Sequence, residues 1–446
     1  MFAAAARGLI AHALPILIAQ LSSIGMMLVD TAVLGHYSAV DLATVAIGGG
    51  IQISVIFSLV GILQAVGPVV AHLHGAKRDA EVAGVLQQGF WMALIFSVPG
   101  IAFLCHPDAL LGLSAMDAEV EARVREYLRL LAWGVPAALC YRTFYGFCNA
   151  LGRPRALMLI GLASLAVHAV LAWGFAFQGW TGERLGALGC GLSNVIIAWA
   201  ACLAAAAYLA FGPLGGKYRP FAGWRLPHWP TWRELLRLGL PMGLSNLVEI
   251  TSFTFISLFV ASLGATVVAG HRIVANLAAL CYMLPLSLAI AAMSAVGQAV
   301  GARDWKRAHA AIGAGLALAV GLSTTVAVLL WLGAGAVVNM YTNDPAVRNV
   351  AVVLVAYIAF YQFFDAIQTV AAFALRAYRV TFLPMVAQTF CFWGIGLAGG
   401  WWLCYRWQPP LGVGGFWLAS VASLVVAAIL LGGLLRRTMQ ATEFNP

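Results

Sequence analysis

The chain alternates between long apolar stretches and short polar ones, and the apolar stretches are about 20 residues long or longer. A membrane-spanning helix needs about 20 apolar residues, whereas a barrel strand needs about ten residues of alternating polarity. The pattern therefore predicts twelve membrane helices. They lie near residues 10–35, 45–72, 84–105, 124–149, 156–178, 187–211, 234–262, 268–300, 307–332, 346–375, 382–405 and 412–435.

The first predicted span, within Leu14–His36, carries a carboxylate at membrane depth. Gln20, Ser23, Met27 and Asp30 follow one another at steps of three, four and three, which places them on one helix face. A carboxylate in the membrane costs at least a few kcal/mol, and it usually serves a function. The stripe therefore indicates a polar cavity facing the protein interior, although a hydrogen bond between packed helices would also explain it.

Two more acidic residues lie deep in predicted spans, both in the second half of the chain. Glu249 is in span 7, and Asp365 is in span 10 on one face with Tyr361 and Gln368. A desolvated carboxylate favours its neutral form and a nearby cation favours the charged form. Such a group can exchange a proton, Na⁺ or an organic cation, which is the minimum requirement of an antiporter. Aromatic faces such as that of Phe253 attract organic cations.

Composition agrees with the membrane assignment. Of 446 residues, 62% are hydrophobic and 9% are charged, whereas soluble domains carry about 25% charged residues. The eight cysteines include no CxxC pair and no Cys/His cluster in the sequence, so neither a metal centre nor a disulfide framework is predicted. We expect no organic cofactor.

The basic residues predict how the chain lies in the membrane. With the N-terminus inside, Lys and Arg, including Arg376 and Arg379, are concentrated in the inner loops, which favours a cytoplasmic location for both termini. The net charge of +9 is then a topology signal, and we expect no nucleic-acid partner. Arg142 lies within a span, and its partner is left open.

The two halves of the chain repeat. We predict an N-terminal lobe at 1–211, a cytoplasmic linker at 212–232 rich in Gly, Pro, Trp and basic residues, and a C-terminal lobe at 233–446. A shift of 226 residues carries Leu14-Pro15 onto Leu240-Pro241, Gly75-Ala76 onto Gly301-Ala302, and Arg153 onto Arg379. Because each half has six spans, the repeat is parallel, with its pseudo-two-fold axis along the membrane normal. The expected fold is all-α, with two six-helix lobes around a central cleft.

These residues together resemble the multidrug and toxic compound extrusion (MATE) family, in its bacterial NorM-like branch. The motifs that carry the resemblance are Leu14-Pro15, Val29-Asp30-Thr31, Gly35, Leu240-Pro241, Glu249, Gly297-Gln298, Gly301-Ala302, Tyr361 and Asp365. The resemblance implies a secondary transporter that exports lipophilic organic cations, such as drugs and dyes, in exchange for Na⁺ or H⁺ by alternating access.

The resemblance also implies roles for particular residues. Glu249, Tyr361 and Asp365 would couple transport to a cation, with possible Na⁺ binding at the two acids, and Asp30 would be the acid of the first lobe. Family members often place asparagines in span 5 near that acid, where this chain has His168. A proton shared between Asp30 and His168 is therefore an alternative. The residues expected to bind substrate are Asp30, Gln20, Ser23, Met27, Phe253 and Gln368.

We expect a monomeric, multi-pass protein of the bacterial cytoplasmic (inner) membrane, in contact with lipids, that is not an enzyme. A flippase for lipid-linked saccharides would need a basic cleft for a pyrophosphate, but the deep charges are mostly acidic, with Arg142 as the exception. A major facilitator would show a characteristic charged loop between spans 2 and 3, and the sequence has no convincing copy of it. An integral membrane enzyme would need a catalytic constellation, and the sequence has no nucleophile motif.

Overall fold

The computed structural model describes residues 1–35, 38–112 and 117–444, and every regular element in these ranges is a helix. Eleven helical segments in them are long and apolar enough to cross a membrane. The remaining predicted span, 124–149, is divided into two shorter helices by a break at Trp133 and Gly134. The structure therefore accounts for each of the twelve predicted spans with helix.

Contacts between residues divide the chain into two units. The first unit is Pro15–Gly243, and the second is Met1–Leu14 together with Leu244–Pro446. The first helix, α1 (Phe2–Gly35), begins in the second unit and continues in the first, and α11 (Trp229–Ala261) begins in the first and continues in the second. Unit boundaries thus fall inside two helices, whereas the predicted lobe boundaries follow the sequence halves and remain a prediction.

Helices and two π-helical segments make up both units. Between α1 and α11 the first unit contains α2 (Ala39–Leu63), α3 (Val66–Gly75), α4 (Asp79–Cys105), α5 (Asp108–Leu111), α6 (Ala118–Ala132), α7 (Val135–Ala150), α8 (Pro154–Trp173), π1 (Gly174–Gln178), α9 (Ala187–Phe211) and α10 (Pro213–Tyr218). After α11 the second unit contains α12 (Ala265–Gly301), α13 (Trp305–Leu332), α14 (Ala334–Asn339), α15 (Pro345–Ala377), α16 (Phe382–Thr389), π2 (Phe390–Gly399), α17 (Gly400–Tyr405) and α18 (Val413–Phe444).

The turn after α3 has the same geometry as the turn after α12. Lys77 and Arg303 both have a φ of 58°, and in each turn the next residue donates its N–H to a carbonyl five residues earlier at 2.9 Å. A left-handed residue closed by such a bond is a common way to end a helix. The two positions differ by 226, so the predicted repeat holds here in three dimensions.

A second pair of turns corrects one part of the predicted repeat. Gly152 after α7 and Arg379 after α15 have φ values of 68° and 62°, and both turns close with the same long backbone hydrogen bond. Their numbers differ by 227, so Arg379 matches Gly152, and Val380 matches Arg153. The predicted match of Arg153 with Arg379 is wrong by one position, because the second unit gains one residue between Arg303 and Arg379.

The helix α15 is central to the second unit, since it packs against α12, α13, α14 and α18. All its residues from Gln368 to Ala377 are buried. In the first unit the matching segment is the pair α6 and α7, which packs against α2, α4 and α9. Asp365 lies on this central helix, so α15 holds a buried polar group in place within the second unit.

Candidate functional site

The first acid group is formed by Asp30, His168, Ser193 and Asn194, which come from α1, α8 and α9. Asp30 is 5% exposed and His168 is fully buried. The Nε2 atom of His168 lies 2.9 Å from Asp30 Oδ1, and the Asn194 side-chain amide donates to Asp30 Oδ2 at 3.0 Å. On the other side of the imidazole, Ser193 Oγ lies 2.8 Å from His168 Nδ1. Hydrogen bonds therefore link one carboxylate to two other helices.

One neutral tautomer of His168 satisfies all of these contacts. If Nε2–H donates to Asp30, Nδ1 accepts from the Ser193 hydroxyl group. Both carboxylate oxygens then face N–H donors, whereas hard cations such as Na⁺ take oxygen ligands. A histidine nitrogen and a carboxylate oxygen at this distance can share one proton along their hydrogen bond.

Tyr127 of α6 supports the first acid group from the side. Its ring fits between two glycines, because a Cβ atom would lie 2.6 Å from the ring at Gly48 and 2.8 Å from it at Gly191. Real Cβ atoms do not approach other atoms this closely, so the buried ring requires glycine at both positions. Tyr127 also interacts electrostatically with Asp30. The glycines of α2 and α9 therefore hold an aromatic ring next to the acid.

The other members of the predicted α1 stripe lie outside this hydrogen-bonded group. Ser23 and Met27 are exposed, Met27 to 55% of its surface, and Gln20 is partly buried. Within the described ranges Gln20 Nε2 has no hydrogen-bond partner. Asp30 is thus held by hydrogen bonds from α8 and α9, whereas the side chains of Gln20, Ser23 and Met27 remain exposed or partly exposed. Their predicted role in substrate binding stays a prediction.

The second acid group is formed by Glu249, Asp365, Gln368 and Gln388, from α11, α15 and α16. Gln368 Nε2 donates to Asp365 Oδ1 at 3.0 Å and lies 3.0 Å from Thr369 Oγ1. Gln388 in turn donates from Nε2 to Gln368 Oε1 at 3.2 Å. Asp365, Gln368 and Gln388 are all buried. A chain of neutral amides therefore fixes one oxygen of the Asp365 carboxylate.

Glu249 joins this group through electrostatics. It is partly exposed, and it interacts electrostatically with Asp365 and with Arg376. Tyr361 interacts electrostatically with both acids, and so does Tyr282 of α12. The structure thus brings together the predicted residues Glu249, Tyr361 and Asp365 in one polar cluster. Two carboxylates with phenol, amide and hydroxyl oxygens nearby provide the kind of oxygen ligands that a hard cation prefers.

The structure also shows the surroundings of three further side chains, Arg376, Arg142 and Phe253. Arg376, predicted in an inner loop, lies instead in the last turn of α15, 6% exposed, because the helix continues past it to Ala377. Its guanidinium carbon is 4.4 Å from the centre of the Phe373 ring. Arg142 lies over the Tyr145 ring at 5.7 Å. Phe253, one turn after Glu249, is exposed.

Several members of the two groups were not predicted from sequence. Ser193 and Asn194 form a polar pair inside the apolar run of α9, and this interruption was a usable signal. Gln388 is likewise a polar residue inside an apolar span. Tyr127 and Tyr282 had no such signal, because tyrosine is common in apolar spans and only the fold places these two beside the acids.

Within the described ranges, neither a metal-binding cluster nor a surface depression along α6 adds members to the two acid groups. Among the residues described, no three His, Cys, Asp or Glu side chains are grouped so that they could hold a metal ion. The depression holds none of the predicted site residues. It is lined by Ala118, Glu121, Ala122, Arg125, Glu126 and Arg129.

Comparison with known families places this geometry in context. The family model described as MatE matches residues 15–173 and 241–402, which together make up most of the chain. The "Probable multidrug resistance protein NorM" of Aromatoleum aromaticum is 52% identical over 97% of this chain and 94% of its own length. The protein of the same name from Neisseria meningitidis serogroup B is 33% identical over 94% of this chain and 91% of its own length.

Solved structures share the fold. The crystal structure of the eukaryotic MATE transporter AtDTX14 superimposes with a TM-score of 0.90 at 19% identity and covers 99% of both chains. An outward-facing MATE transporter of the MOP superfamily superimposes with a TM-score of 0.90 at 18% identity, over 99% of this chain and 97% of its own. These likenesses confirm the predicted all-α membrane fold.

Proposed function

Because the chain belongs to the MatE family, we propose that it is a secondary active multidrug efflux transporter that exports lipophilic organic cations in exchange for Na⁺ or H⁺. The family resemblance predicted from the sequence motifs is confirmed. Relatives that cover nearly the whole chain are named multidrug resistance proteins, and this supports a substrate class of drug-like small molecules rather than an enzymatic reaction.

The observation that carries this proposal is a buried acid in each unit. Asp30 in the first unit and Asp365 in the second are both closed off from solvent, and neither forms an ion pair with Lys or Arg within the described ranges. A carboxylate with neutral partners can accept a small cation or a proton without first breaking a salt bridge. An acid in this state is suited to bind and release a coupling ion.

We assign cation coupling chiefly to the second acid group. Glu249 and Asp365 are near enough to interact, so a cation or proton that binds one carboxylate relieves repulsion from the other. Tyr361 lies beside both acids and supplies a neutral phenol oxygen, whereas Gln368 donates from Nε2 to Asp365 Oδ1. Occupation by Na⁺ or H⁺ then competes with a cationic drug at the same charge, which is the exchange that antiport requires.

We assign proton handling to the first acid group. His168 and Asn194 present N–H groups to Asp30, which stabilise the carboxylate and occupy the oxygens that a metal ion would need, so we assign the exchanged proton to the Asp30–His168 pair as a whole. Protonation of the pair lowers its negative charge and weakens its attraction for an organic cation. Gln20, Ser23 and Met27, on the same helix as Asp30, and Phe253 near Glu249 are the side chains that we expect to touch the drug.

The proposed cycle is alternating access. From the outside, Na⁺ or H⁺ binds the acids and the drug leaves; from the inside, the cation leaves and the drug binds. We propose that the protein is a monomer in the bacterial cytoplasmic membrane. Both termini then lie inside, because Lys and Arg are concentrated in the loops on that predicted side.

The test uses purified protein in lipid vesicles. Efflux of ethidium is followed under an imposed Na⁺ gradient with the pH gradient collapsed by an ionophore, and then under an imposed pH gradient without Na⁺. We expect at least one gradient to drive efflux, and addition of substrate to dissipate that gradient. If neither gradient drives efflux and substrate dissipates neither, the proposed antiport is wrong.

A further inference from the structure

The segment that joins the halves of the sequence is fixed to α4 by two glutamines. Gln87 donates from Nε2 to the Pro220 carbonyl at 2.7 Å and accepts from the Arg225 N–H at 3.1 Å. Gln88 donates to the Leu226 carbonyl at 3.0 Å and accepts from the His228 N–H at 2.8 Å. We call residues 219–237 the basic segment. Its irregular part is therefore an ordered structure, because side-chain amides satisfy its backbone groups.

Aromatic packing holds the same segment. The Trp224 ring is stacked between Phe90 of α4 and Phe221, with ring centres 6.4 and 6.3 Å away and interplanar angles of 13° and 7°. Trp91 also meets Trp224 edge-on and donates from Nε1 to the Arg225 carbonyl at 3.1 Å. The hydrogen bonds and the stacked rings act together, so this part of the chain has one defined surface.

That surface is both basic and apolar. Arg219, Arg225, Arg233 and Arg237 are all exposed. Across the part of the chain that the structure describes, no carboxylate forms an ion pair with any of these four side chains. Between them, large apolar side chains are also exposed, Leu226 to 77% and Trp229 to 66%.

Two neighbouring cations, Lys217 and Arg78, differ from these four arginines because each already has an acidic partner. Lys217 Nζ lies 2.9 Å from Asp79 Oδ2, and hydrogen bonding to this carboxylate raises the pKa of Lys217. Arg78 forms two hydrogen bonds with Glu81, at 2.6 and 2.7 Å. Within the described ranges, the four arginines of the basic segment thus stand out as cations with no carboxylate at ion-pair distance.

We propose that the basic segment is a binding site for the headgroups of anionic phospholipids. Arginine pairs with phosphate through a planar fork of donors, and clusters of four or more Lys and Arg beside a membrane helix bind anionic lipids. Leu226 and Trp229 favour a lipid over free phosphate, because tryptophan and apolar side chains sit at the boundary between headgroups and acyl chains. The site is independent of the coupling chemistry and goes beyond the proposed transport function.

The test measures lipid retention on the whole purified protein. Native mass spectrometry in detergent follows titration with phosphatidylglycerol and, separately, with phosphatidylcholine of the same acyl chains. The variant Arg219→Gln/Arg225→Gln/Arg233→Gln/Arg237→Gln should lose between about tenfold and several hundredfold in phosphatidylglycerol affinity and little in phosphatidylcholine affinity, since each of the four arginines near a membrane surface contributes up to about fivefold. Glycerol phosphate, the soluble headgroup, should not compete.

A matched control removes the same charge elsewhere. Arg303→Gln/Arg307→Gln/Arg436→Gln/Arg437→Gln changes four exposed arginines on the same predicted side of the membrane and should retain the phosphatidylglycerol affinity of the wild type. Equal losses in both quadruple variants, or no loss in the first, would overturn the proposal.

A further variant tests the built geometry without removing charge. Gln87→Leu/Gln88→Leu keeps every arginine but releases the backbone of the basic segment from α4. A loss of several-fold in phosphatidylglycerol affinity would support a preformed site, and an unchanged affinity would overturn it.

Discussion

The first and second acid groups stand on the same repeated scaffold but not at equivalent positions. With the shift of 226 seen at Lys77 and Arg303, Asp30 corresponds to Ile256, and Glu249 corresponds to Ser23. With the shift of 227 seen at the next pair of turns, Asp365 corresponds to Ala138. The repeat therefore supplies helices and turns, whereas each half carries its own chemistry.

The two groups also differ in charge. The first contains one carboxylate with an imidazole and an amide, and the second contains two carboxylates with Arg376 within electrostatic range of Glu249. By the shift of 227, the position of Arg376 in the first unit is occupied by the buried Asn149. We infer that the second group is built around net charge that a cation neutralises, and the first around exchange of a proton. Neither should substitute for the other.

The largest expected effect comes from neutralising the second group. Asp365→Asn keeps the shape of the side chain but removes the charge that Na⁺ or H⁺ would balance, and Glu249→Gln does the same for its neighbour. Each variant should lower gradient-driven ethidium efflux from vesicles by roughly 100-fold, at the upper end of usual coupling energies. Wild-type efflux in both variants would show that the two units do not divide the work as proposed.

Asp41→Asn is the matched control for this experiment. Asp41 is also a buried carboxylate, but its Oδ1 atom accepts the Ala187 N–H at the start of α9 at 2.9 Å. Asn at this position still has an oxygen that can accept the Ala187 N–H, so we expect the variant to lose no more than about 1 kcal/mol of stability, mainly from the ion pair with Arg123 at 3.5 Å, and to retain ion-coupled efflux.

The next effect separates the two groups by ion. His168→Gln retains an amide that can donate to Asp30 but cannot take up a proton near neutral pH. We expect about a tenfold loss of efflux driven by a pH gradient, within the usual range of coupling between sites, and little change in efflux driven by Na⁺. Equal losses under both gradients would remove the distinction between the groups.

Much of the fold followed from sequence because its signals are long and repeated. Apolar runs of membrane length marked eleven of the twelve predicted spans, and the anchors at Pro15 and Pro241 revealed the repeat. The one-residue change in register could not be seen, since Arg153 and Arg379 match by letter. Only the left-handed turn at Gly152 shows that backbone conformation, rather than residue type, sets the correspondence.

The acids and the pairing of Asp30 with His168 could be predicted, but the complete hydrogen-bonded groups could not. Costly residues such as Asp30 and Asp365 stand out in an apolar span. Their partners Asn194 and Gln388 are harder to predict. Both lie far from the acids in sequence, and uncharged polar side chains are common where membrane helices pack together. Arg376 was misplaced for a related reason: charge near a span end usually indicates a loop, but here packing around α15 buries it.

A smaller effect compares how tightly each acid is held. Gln388→Leu removes the donor to Gln368 Oε1 and leaves that buried oxygen unsatisfied, so it should cost about 1–3 kcal/mol of unfolding free energy. Ser193→Ala removes the hydroxyl beside the buried His168 Nδ1, which is left unsatisfied in the same way, so it should also cost about 1–3 kcal/mol. Reversible unfolding in mixed micelles measures both. A larger loss for Ser193→Ala would mean that the first group is the more rigidly organised of the two.

The smallest effect tests whether the scaffold itself is shared. Lys77→Gly and Arg303→Gly relieve a left-handed backbone, which costs a side-chain-bearing residue about 1 kcal/mol, but both remove a cation near a helix C-terminus that is worth about 0.3–1 kcal/mol. Each should therefore stabilise its unit by only a few tenths of a kcal/mol, in the same direction. Gly152→Ala, at a third turn of this type, should destabilise by about 1 kcal/mol because it adds a Cβ at a φ of 68°. Opposite signs for Lys77→Gly and Arg303→Gly would mean that the two turns share geometry without sharing energetics, and that the halves differ in scaffold as well as in chemistry.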